Sequence, residues 1–527
     1  MKNLILIIIL FILSPVTGYG QFPGSNVFNF EGIHDIHLVF TQPNFWDSLL
    51  IYKEEGDETD DYQYMPAKVI FDGQVIDSTG VRLKGNSSYY APGKKKSIKL
   101  KFNKFVSGQK LDGLKKVNLN NNFNDPTLMR EKLFLDILQE SGVYAPRCTY
   151  ARVFINDVYW GLYTMVDHVD KVFLLSYFYD KSGNLYKGDK YPWSTCANLS
   201  YHPDPSEYKE CYTLETNEEI NDWSDLEDLI TIINHTPLPD YYQSVNTVLH
   251  TESFINAWAT NVVFVNVDSY VETGHNYFLY HNPVTDKFEW ITWDVNEAFG
   301  LWNVGMPLEQ LYTLDIFYLP QNAQLERPLS FYMLEEPQFW KQYTDKVFQI
   351  VNNEFNPDKL FPKIDKLYNL IKDDVYADTN KILSNDDFEN NMVEDVLIPE
   401  YPGWVPGLKS FIQLRSDLLI GRLNDLGYNF SGNSSLVSSL KCMSVFIYPN
   451  PMHSRATFGL SLESTEKIKL TIYNSLGQEI EILADEIMQE GIHCIEYEPS
   501  RLESGTYYLH VQALSGFVTN SMFSVCK

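Results

Sequence analysis

The side chains best suited to phosphate and metal chemistry lie between residues 261 and 300. Asp268 ends an apolar helix, Asn276 opens a hairpin farther on, and Asp294 directly follows the second hairpin strand. Because a hairpin returns its two ends to one place, Asn276 and Asp294 should be neighbours. Mg²⁺ keeps waters and takes one or two carboxylates plus phosphate oxygens. This sparse set of oxygen ligands therefore predicts a Mg²⁺–phosphate site.

The order of these residues is that of the phosphoryl-transfer residues in protein kinases. There, a catalytic-loop Asp is followed by an Asn and then by a second Asp that binds the metal. In this chain no Arg directly precedes Asp268, and the first glycine after Asp294 is Gly300. Two alternatives stay open. Asp and Asn at loop ends often cap turns, and Asp294 with Glu297 could be the acid/base pair of a secreted hydrolase.

Short strands separated by turns predict a β-rich first section over residues 31–190. Runs of β-branched and aromatic residues mark the strands, which are expected at Asp35–Phe40, Ala67–Phe71, Ile98–Phe102, Lys116–Leu119 and Ala151–Ile155. One helix interrupts them. Asp125-Pro126 starts this helix, leucines with helical spacing follow, and Gly142 ends it.

From about residue 220 to 430 the spacing of apolar residues becomes helical. Amphipathic helices are expected at Ser253–Val265, Phe339–Asn352, Leu360–Tyr376 and Leu408–Leu426. A compact hairpin lies within this section, with strands His275–His281 and Phe288–Trp293 around the turn Pro283–Asp286. This hairpin is the element that must bring Asn276 to Asp294.

Length and composition predict a globular chain of two or more domains. The 527 residues exceed what one hydrophobic core usually supports, and 44% of them are hydrophobic. The formal net charge of −28 argues against a nucleic-acid binder, because such proteins neutralise phosphates with Lys and Arg. Six cysteines are too few for a disulfide scaffold. Cys196 and Cys211 flank one loop, where a disulfide and free thiols are both open.

The N-terminus has the pattern of a cleavable secretory signal peptide over residues 1–20. Lys2 precedes an uninterrupted apolar run from Leu4 to Leu13, and small residues before Gln21 suit cleavage. The run is shorter than the ~20 residues that a helix needs to span a bilayer. No later segment is long and apolar enough to be a transmembrane helix. We therefore expect export without a transmembrane anchor.

The end of the chain is a separate section. Residues 429–440 are rich in Ser, Asn and Gly, which predicts a flexible linker. Beyond the linker, residues 441–527 alternate short strands with turns, in the pattern of a small all-β sandwich. The strands are expected at Ser444–Tyr448, Ile468–Tyr473, Cys494–Tyr497 and Tyr507–Val511.

This tail resembles the C-terminal sorting domain of the type IX secretion system of Bacteroidetes-like bacteria. The matching residues are Tyr448-Pro449-Asn450-Pro451, Leu470 to Gly477, Gly491, and Leu502 to Tyr507. The resemblance implies passage through the periplasm, recognition by the type IX secretion machinery, and release or attachment at the outer-membrane surface. An ordinary β-sandwich binding module is the alternative.

The section from about residue 31 to 425 resembles the CotH family, the spore-coat protein H-type atypical kinases. The matching stretches are Val81–Ser88, Lys95–Phe102, Met129–Leu133, Tyr150–Tyr163, Asn184–Lys187, Asn261, Asp268, Asn276-Tyr277 and Trp293-Asp294. The resemblance implies an α+β chain, with a divergent protein-kinase-like two-lobe domain over residues 31–428 before the linker and the sorting domain. It also implies ATP-dependent phosphorylation of protein Ser or Thr, with Mg²⁺ or another divalent cation.

Carried over to this chain, the resemblance assigns roles to single residues. The resemblance implies that Asp268 is the base that accepts the proton of the substrate hydroxyl. It implies that Asp294 binds the metal and that Asn276 assists in binding it. The cations implied to meet the ATP phosphates are Arg82, Lys84, Lys99 and Lys101. A solvated strand edge is the alternative reading of these cations.

Two positions depart from the family pattern. Asn296 stands where the family often has an acidic residue, which would weaken metal affinity. Asp167 stands where the family often has Glu. Its side chain is shorter than that of Glu, and it is a candidate to pair with a lysine. We expect an exported protein Ser/Thr kinase, secreted or held at the outer-membrane surface. The alternative is a non-catalytic adhesin or assembly scaffold that keeps the fold, since ATP is scarce outside cells.

Overall fold

A computed structural model describes residues 22–189, 196–303, 305–398, 403–428, 430, 444–448, 452, 456–462, 465–475, 477–489, 491–514 and 518–525. The predicted signal peptide, nearly all of the predicted linker and the turn at residues 449–451 lie outside this part of the chain. The chain divides into two compact units, Met1–Ser416 and Asp417–Lys527. Among the described residues, no helix combines the length and the apolar composition that crossing a membrane requires.

Seven strands of the first unit close into a barrel, in the order β1-β2-β3-β4-β5-β7-β6. Their bounds are β1 Ile33–Val39, β2 Met65–Phe71, β3 Gln74–Lys84, β4 Ser97–Lys101, β5 Lys116–Asn120, β6 Cys148–Ile155 and β7 Val158–Val166. Strand β1 pairs in parallel with β6, and all other neighbours are antiparallel. Because side chains alternate along a strand, Val81 and Leu83 fill the barrel and the intervening Arg82 points outward.

All five strands predicted for this section are confirmed, with ends shifted by a few residues. The prediction of a single interrupting helix is wrong, because Phe45–Thr59 and Lys171–Phe178 are also helical. The helix Phe45–Thr59 buries only Leu49, Lys53 and Gly56, so its sequence has little helical periodicity. Strands β3 and β7 were not foreseen, since a glycine interrupts the β-branched run of each.

A mostly helical part follows the barrel and confirms the four helices predicted there. Its longer helices are Ser224–His235, Leu238–Val248, Thr251–Val263, Pro328–Glu335, Pro337–Asn353, Pro357–Ala377 and Leu408–Asp425. The predicted hairpin is confirmed in a sheet of order β11-β10-β8-β9. The strands of this part are β8 Leu185–Lys187, β9 Thr213–Leu214, β10 Tyr277–Asn282, β11 Lys287–Thr292, β12 Val396–Ile398 and β13 Gly403–Val405. A disulfide joins Cys196 and Cys211, whose Cα atoms are 5.3 Å apart.

A buried ion pair fastens the barrel to the end of the helix Pro357–Ala377. Lys95 Nζ donates to Asp378 Oδ2 at 2.6 Å, and both side chains are buried. The same carboxylate oxygen accepts the Leu162 N–H of β7 at 3.1 Å. Gly161 permits this approach, because a Cβ at that position would lie 2.5 Å from Asp378 Oδ2 and its φ of +143° disfavours other residues.

Beyond the end of the helix Leu408–Asp425, the described part of the second unit is all β, and its two sheets confirm the predicted sandwich. One sheet contains β14 Ser444–Tyr448, β15 Ala456–Leu462 and β18 Gly491–Tyr497. The other, of order β17-β16-β19-β20, contains β16 Glu466–Asn474, β17 Glu479–Met488, β19 Gly505–Ala513 and β20 Val518–Val525. Phe458 of one sheet and Leu470 and Leu509 of the other belong to one buried cluster.

We expect the Asp378→Ala variant to lose about 3–5 kcal/mol of unfolding free energy, because the Lys95 ammonium stays buried without its counter-charge. Urea unfolding followed by tryptophan fluorescence measures this loss. The control is Glu31→Ala: Glu31 pairs with Lys366 of the same helix at 2.9 Å, but both side chains are exposed. Water screens such a pair, so the control should keep the wild-type midpoint. Equal midpoints for the two variants would contradict the expectation.

Candidate functional site

The hairpin of β10 and β11 places Asn276 beside Trp293 and Asp294. Tyr277 pairs with Thr292 in the hairpin register, and Trp293 N–H donates to the Asn276 carbonyl at 3.1 Å. Asn276 and Asp294 both have left-handed backbones, with φ of +62° and +50°. Among non-glycine residues, Asn and Asp adopt this conformation most readily. The two residue types therefore suit the backbone that the loops require.

Asp268 lies against Asn276. Asn276 Nδ2 donates to the Asp268 carbonyl at 2.8 Å and to its Oδ2 at 3.1 Å. His275 Nε2 lies 3.1 Å from the other carboxylate oxygen, Oδ1. Burial opposes the charged form of His275, but the hydrogen bond and charge of Asp268 outweigh burial and raise the pKa of His275. Each Asp268 oxygen thus has a fixed neighbour, while the side chain stays 23% exposed to solvent.

A buried arginine holds the helix that leads to Asp268. Arg415 Nε donates to the Val263 carbonyl at 2.7 Å and so caps the C-terminal end of Thr251–Val263. Burial lowers the pKa of Arg415 to about 9. The chain then passes through Val265 at φ +50°, an unfavourable conformation for a β-branched residue. The capped helix and the constrained loop together fix where Asp268 lies.

On the barrel side, Lys84 begins a chain of hydrogen bonds that ends on a helix. Lys84 Nζ donates to Asn120 Oδ1 at 2.8 Å, and Asn120 Nδ2 donates to Glu131 Oε1 at 2.6 Å. Glu131 is buried in the first turn of Arg130–Glu140, and its Oε2 has no hydrogen-bond partner within the described residues. Burial raises the pKa of Glu131 to about 8; the charge of Asp294 adds to this, and Lys84 opposes it.

Arg130 anchors the helix that carries Glu131. Arg130 Nη1 donates to Asp125 Oδ1 at 2.6 Å and to Asn391 Oδ1 at 3.0 Å. Its Nη2 donates to the Pro406 carbonyl at 2.6 Å. Asp125 Oδ2 accepts the Arg130 backbone N–H at 2.7 Å, so Asp125 caps the helix from outside it. The predicted helix start at Asp125 is therefore wrong, because the helix begins at Arg130.

Asp294 lies in a concave part of the surface. Its side chain is exposed to solvent, yet the surrounding protein partly desolvates the carboxylate and so raises the pKa of Asp294. A side chain that water reaches although protein surrounds it lines a cleft. The charges of Lys84 and Lys187 lower the pKa of Asp294, whereas the charge of Asp268 raises it. The cleft therefore has a barrel cation on one side and two carboxylates of the helical part on the other.

The four cations implied to bind phosphate lie on one outward face of the barrel, but at different positions along its strands. Lys84 ends β3, Arg82 and Lys99 form the next cross-strand pair, and Lys101 lies one pair farther along. The charge of Asp294 is a main influence on the pKa of Lys84 but not on those of Lys99 and Lys101. Of these four cations, Lys84 is thus the one that the structure brings to the cleft carboxylates.

The expectation that Asp167 is a lysine partner is wrong. Its carboxylate accepts hydrogen bonds from Arg147 Nη2 at 2.5 Å and from Arg147 Nε at 3.0 Å. Asp167 directly follows β7, and its ion-pair partner there is Arg147. The carboxylate linked to Lys84 is instead Glu131, through Asn120.

Glu297 is buried and does not open into the cleft. It is 6% exposed, and Asn296 Nδ2 donates to its Oε1 at 2.8 Å. Burial raises the pKa of Glu297 well above its ordinary value, and the charges of Asp268 and Asp294 add to this. A buried carboxyl cannot contact a substrate, which argues against a hydrolase that uses Asp294 and Glu297 as its pair.

Sequence reasoning did not single out Asn120, Glu131, His275 or Lys187 as site residues. Glu131 and Lys187 do lie within stretches that carry the family resemblance, and that position was the available signal. Asn120 continues the outward face of β5 beyond Asn118, a weaker signal. His275 directly precedes Asn276 and shares its loop.

The donor set fits a Mg²⁺–nucleotide pair better than a free metal ion. Within the described part of the chain, no group of three or more His, Cys, Asp or Glu side chains is placed to hold a metal alone. Mg²⁺ does not need such a group, because phosphate oxygens and waters complete its shell. Asp294 offers a carboxylate, and Asn276 offers Oδ1 because its Nδ2 is bound to Asp268. Lys84 adds a cation for the phosphate.

Comparison with known proteins agrees with both predicted resemblances. The sequence model of a family described as CotH kinase protein matches residues 81–419. The model described as the secretion system C-terminal sorting domain matches residues 446–523. Inner spore coat protein H of Bacillus subtilis is 28% identical over 310 residues, which are 58% of this chain and 80% of that protein.

Two further similarities cover smaller shares of the proteins concerned. Invasin CotH3 of Rhizopus delemar is 26% identical over 200 residues, which are 37% of this chain and 33% of the invasin. A structure of PorZ, a surface component of the type-IX secretion system of Porphyromonas gingivalis, is 20% identical over 18% of this chain and 13% of that chain, with a TM-score of 0.12.

The unfolding free energy of the wild type should decrease between about pH 5 and pH 8. We expect the Glu131→Gln variant not to show this decrease. The folded protein keeps a proton on Glu131 up to its pKa of about 8, whereas the unfolded chain releases it near 4.5. This contribution to stability is therefore complete below 4.5 and declines toward pH 8, by up to about 1.4 kcal/mol per pH unit. Urea unfolding across this range measures the slope.

Glu140→Gln is the matched control, because Glu140 is an exposed residue of the same helix. The control should keep the wild-type slope. One common slope for the wild type and both variants would contradict a protonated Glu131.

Proposed function

The chain belongs to the CotH family and ends in a secretion sorting domain, and we propose that it is an exported protein kinase. In this proposal it transfers the γ-phosphoryl group of ATP to a Ser or Thr hydroxyl of a protein acceptor. The barrel and the helical part act as the two lobes of a divergent kinase-like domain. The sorting domain directs the chain to the type IX secretion machinery, and so to the cell surface or the medium.

One observation carries the proposal: hydrogen bonds connect Lys84 through Asn120 to Glu131, and the charge of Asp294 acts on both Lys84 and Glu131. In protein kinases a strand Lys pairs with a helix Glu, and a carboxylate holds the metal between the phosphates. Here the Lys and the Glu lie on a barrel strand and a helix, and Asp294 follows a hairpin. Burying such charges opposes folding, so their convergence favours a function in ligand binding.

In this proposal the nucleotide binds on the barrel side of the cleft. Burial lowers the pKa of Lys84, but the charge of Asp294 acts in the opposite direction and favours the ammonium form. Glu131 holds Lys84 in place through Asn120, so the ammonium is oriented before a phosphate arrives. A divalent cation held by Asp294 and Asn276 would supply the charge that neutralises the phosphates.

In the transfer step Asp268 acts as the general base. The acceptor hydroxyl oxygen bonds to the γ-phosphorus while the bond to the β–γ bridging oxygen breaks, and ADP leaves with that electron pair. Asp268 takes the hydroxyl proton. Asn276 and His275 hold the two oxygens of Asp268, so the carboxylate is oriented before the acceptor binds. Its partial exposure leaves an approach for the acceptor.

A non-catalytic adhesin or assembly scaffold is the second candidate. The name of one relative favours it, since the matching Rhizopus delemar protein is called an invasin. A scaffold would keep the fold without binding ATP. The partly buried Lys84–Asn120–Glu131 connection beside Asp294 supports the kinase over the scaffold, because a scaffold gains nothing from holding these groups in a cleft.

We expect Asp294→Ala to abolish Mg²⁺-dependent ATP binding, because it removes the carboxylate that holds the cation. Asp268→Asn should keep ATP binding and slow phosphoryl transfer by about 10²–10⁴-fold, the usual effect of losing a general base. Calorimetry measures the binding, and transfer from labelled ATP measures the rate.

The control for both variants is Asp240→Ala, which removes an exposed carboxylate of the helix Leu238–Val248 and should change neither property. Unchanged ATP affinity in Asp294→Ala would show that the metal assignment is wrong. Equal loss of binding in Asp294→Ala and Asp268→Asn would merge the two residues into one metal site.

Deletion of residues 441–527 should trap the chain in the periplasm, because these residues contain the sorting domain. The remaining section should still fold, since the barrel has its own buried core. Fractionation of the producing cells measures the location. Full-length Asp294→Ala is the control and should reach the surface or medium as the wild type does. A truncated chain that also arrives there would contradict the role of the tail.

A further inference from the structure

Five cations line one outward face of the barrel, four of them in cross-strand pairs. Arg82 of β3 is directly opposite Lys99 of β4, and Lys101 of β4 is directly opposite Lys116 of β5. Directly opposite residues have Cβ atoms about 5 Å apart, and like charges there destabilise a sheet. The barrel thus holds two repulsive pairs side by side, and Lys84 ends the same face.

Among the described residues, these pairs form no ion pair with a carboxylate. In the part of the chain that the structure describes, no carboxylate lies within ion-pair distance of Arg82, Lys99, Lys101 or Lys116. Burial lowers the pKa of Lys99 and of Lys101, and the neighbouring cations lower both further. The charge of Glu215 opposes this at Lys99, whereas the main charges acting on Lys101 are all cations. The whole chain has 69 acidic and 41 basic residues, so carboxylates are abundant elsewhere. The cations are therefore held at a cost that an external anion would offset.

The pair Lys101–Lys116 is separate from the position of the nucleotide phosphates at Lys84. Lys101 is opposite Gly80, which precedes Lys84 by four residues on β3, a distance of about 13 Å at about 3.3 Å per residue. The main charges that shift the pKa of Lys101 are all cations, whereas Asp294 and Glu131 act on Lys84. A phosphate bound beside Asp294 would leave Lys101 and Lys116 without an anion.

Arg82 is fixed between the two ends of this face. Its Cζ lies 4.3 Å from the centroid of the Tyr62 ring, and its Nε donates to Tyr64 Oη at 3.3 Å. Arg82 Nη1 donates to the Leu83 carbonyl at 3.0 Å, which leaves Nη2 available. A guanidinium held against aromatic rings presents a rigid fork of donors, the geometry that recognises phosphate.

We propose that Arg82, Lys101 and Lys116 form a second phosphate site, distinct from the position at Lys84. Two ammonium groups and an oriented guanidinium supply the charge and the donors that a phosphate group needs. The phosphate belongs to a second ligand or to a second phosphorylated position of the nucleotide. The site follows from the cation pairs themselves, and it goes beyond the proposed kinase function without requiring it.

Calorimetric titration of the full chain with inorganic pyrophosphate in the presence of Mg²⁺ tests the proposal. The wild type should bind two pyrophosphates. The double variant Lys101→Gln/Lys116→Gln should bind one, because the loss of two charge-assisted contacts weakens the second site by at least about tenfold. The control Lys68→Gln/Lys171→Gln removes two exposed barrel-side charges and should still bind two.

A second measurement on the same variant guards against a folding defect. Because Lys101→Gln/Lys116→Gln removes a repulsive pair, its urea midpoint should equal or exceed that of the wild type. Titration with O-phosphoserine and with adenosine 3′,5′-bisphosphate then identifies the source. The ligand whose affinity falls in the double variant is the one that carries the second phosphate.

Equal numbers of pyrophosphates on the wild type and on the double variant would overturn the second site. The loss of one pyrophosphate in the double variant, in a protein that binds no ATP, would support the site while contradicting the kinase function. The two ideas can therefore fail separately.

Discussion

The position of Glu131 is the constraint on which the rest of the site depends. Glu131 holds Asn120, Asn120 holds Lys84, and Lys84 faces Asp294 across the cleft. A shift of the helix Arg130–Glu140 by one residue would rotate Glu131 by about 100° and move it 1.5 Å along the axis, which breaks the connection to the barrel. Arg130 prevents that shift by binding Asn391 and Pro406 in the helical part.

Buried charges in this protein fall into two physical classes. Arg130 donates to Asp125, Asn391 and the Pro406 carbonyl, and Arg415 donates to backbone carbonyls, so their burial secures helix ends and positions loops. Glu131 and Glu297 each accept a hydrogen bond from a neutral amide and keep the other carboxyl oxygen without a hydrogen-bond partner in the described chain. Buried polar atoms without partners are uncommon in folded proteins and often mark functional positions. Both of these carboxyls lie close enough to Asp294 for its charge to raise their pKa.

Much of this arrangement could be read from the sequence, and the failures have a common cause. The hairpin, the main helices and the β-sandwich follow from local periodicity, and a hairpin necessarily places Asn276 beside the end of its second strand. The link between Lys84 and Glu131 could not be derived in this way, because it depends on how three separated segments close a barrel. Asp167 was mistaken for a lysine partner for the same reason: only the fold shows that Arg147 is its neighbour. The roles of Asp268, Asn276 and Asp294 stay predictions that chemistry must test.

The central claim is that the cleft at Asp294 binds ATP together with a divalent cation. Calorimetry of the purified full chain with ATP, first with Mg²⁺ and then with EDTA, tests it most directly. The account predicts one ATP per chain with Mg²⁺ and a large loss of affinity without it, because Asp268 and Asp294 would then face the phosphate charge uncompensated. No ATP binding in the presence of Mg²⁺, or the same affinity with and without it, would contradict the account.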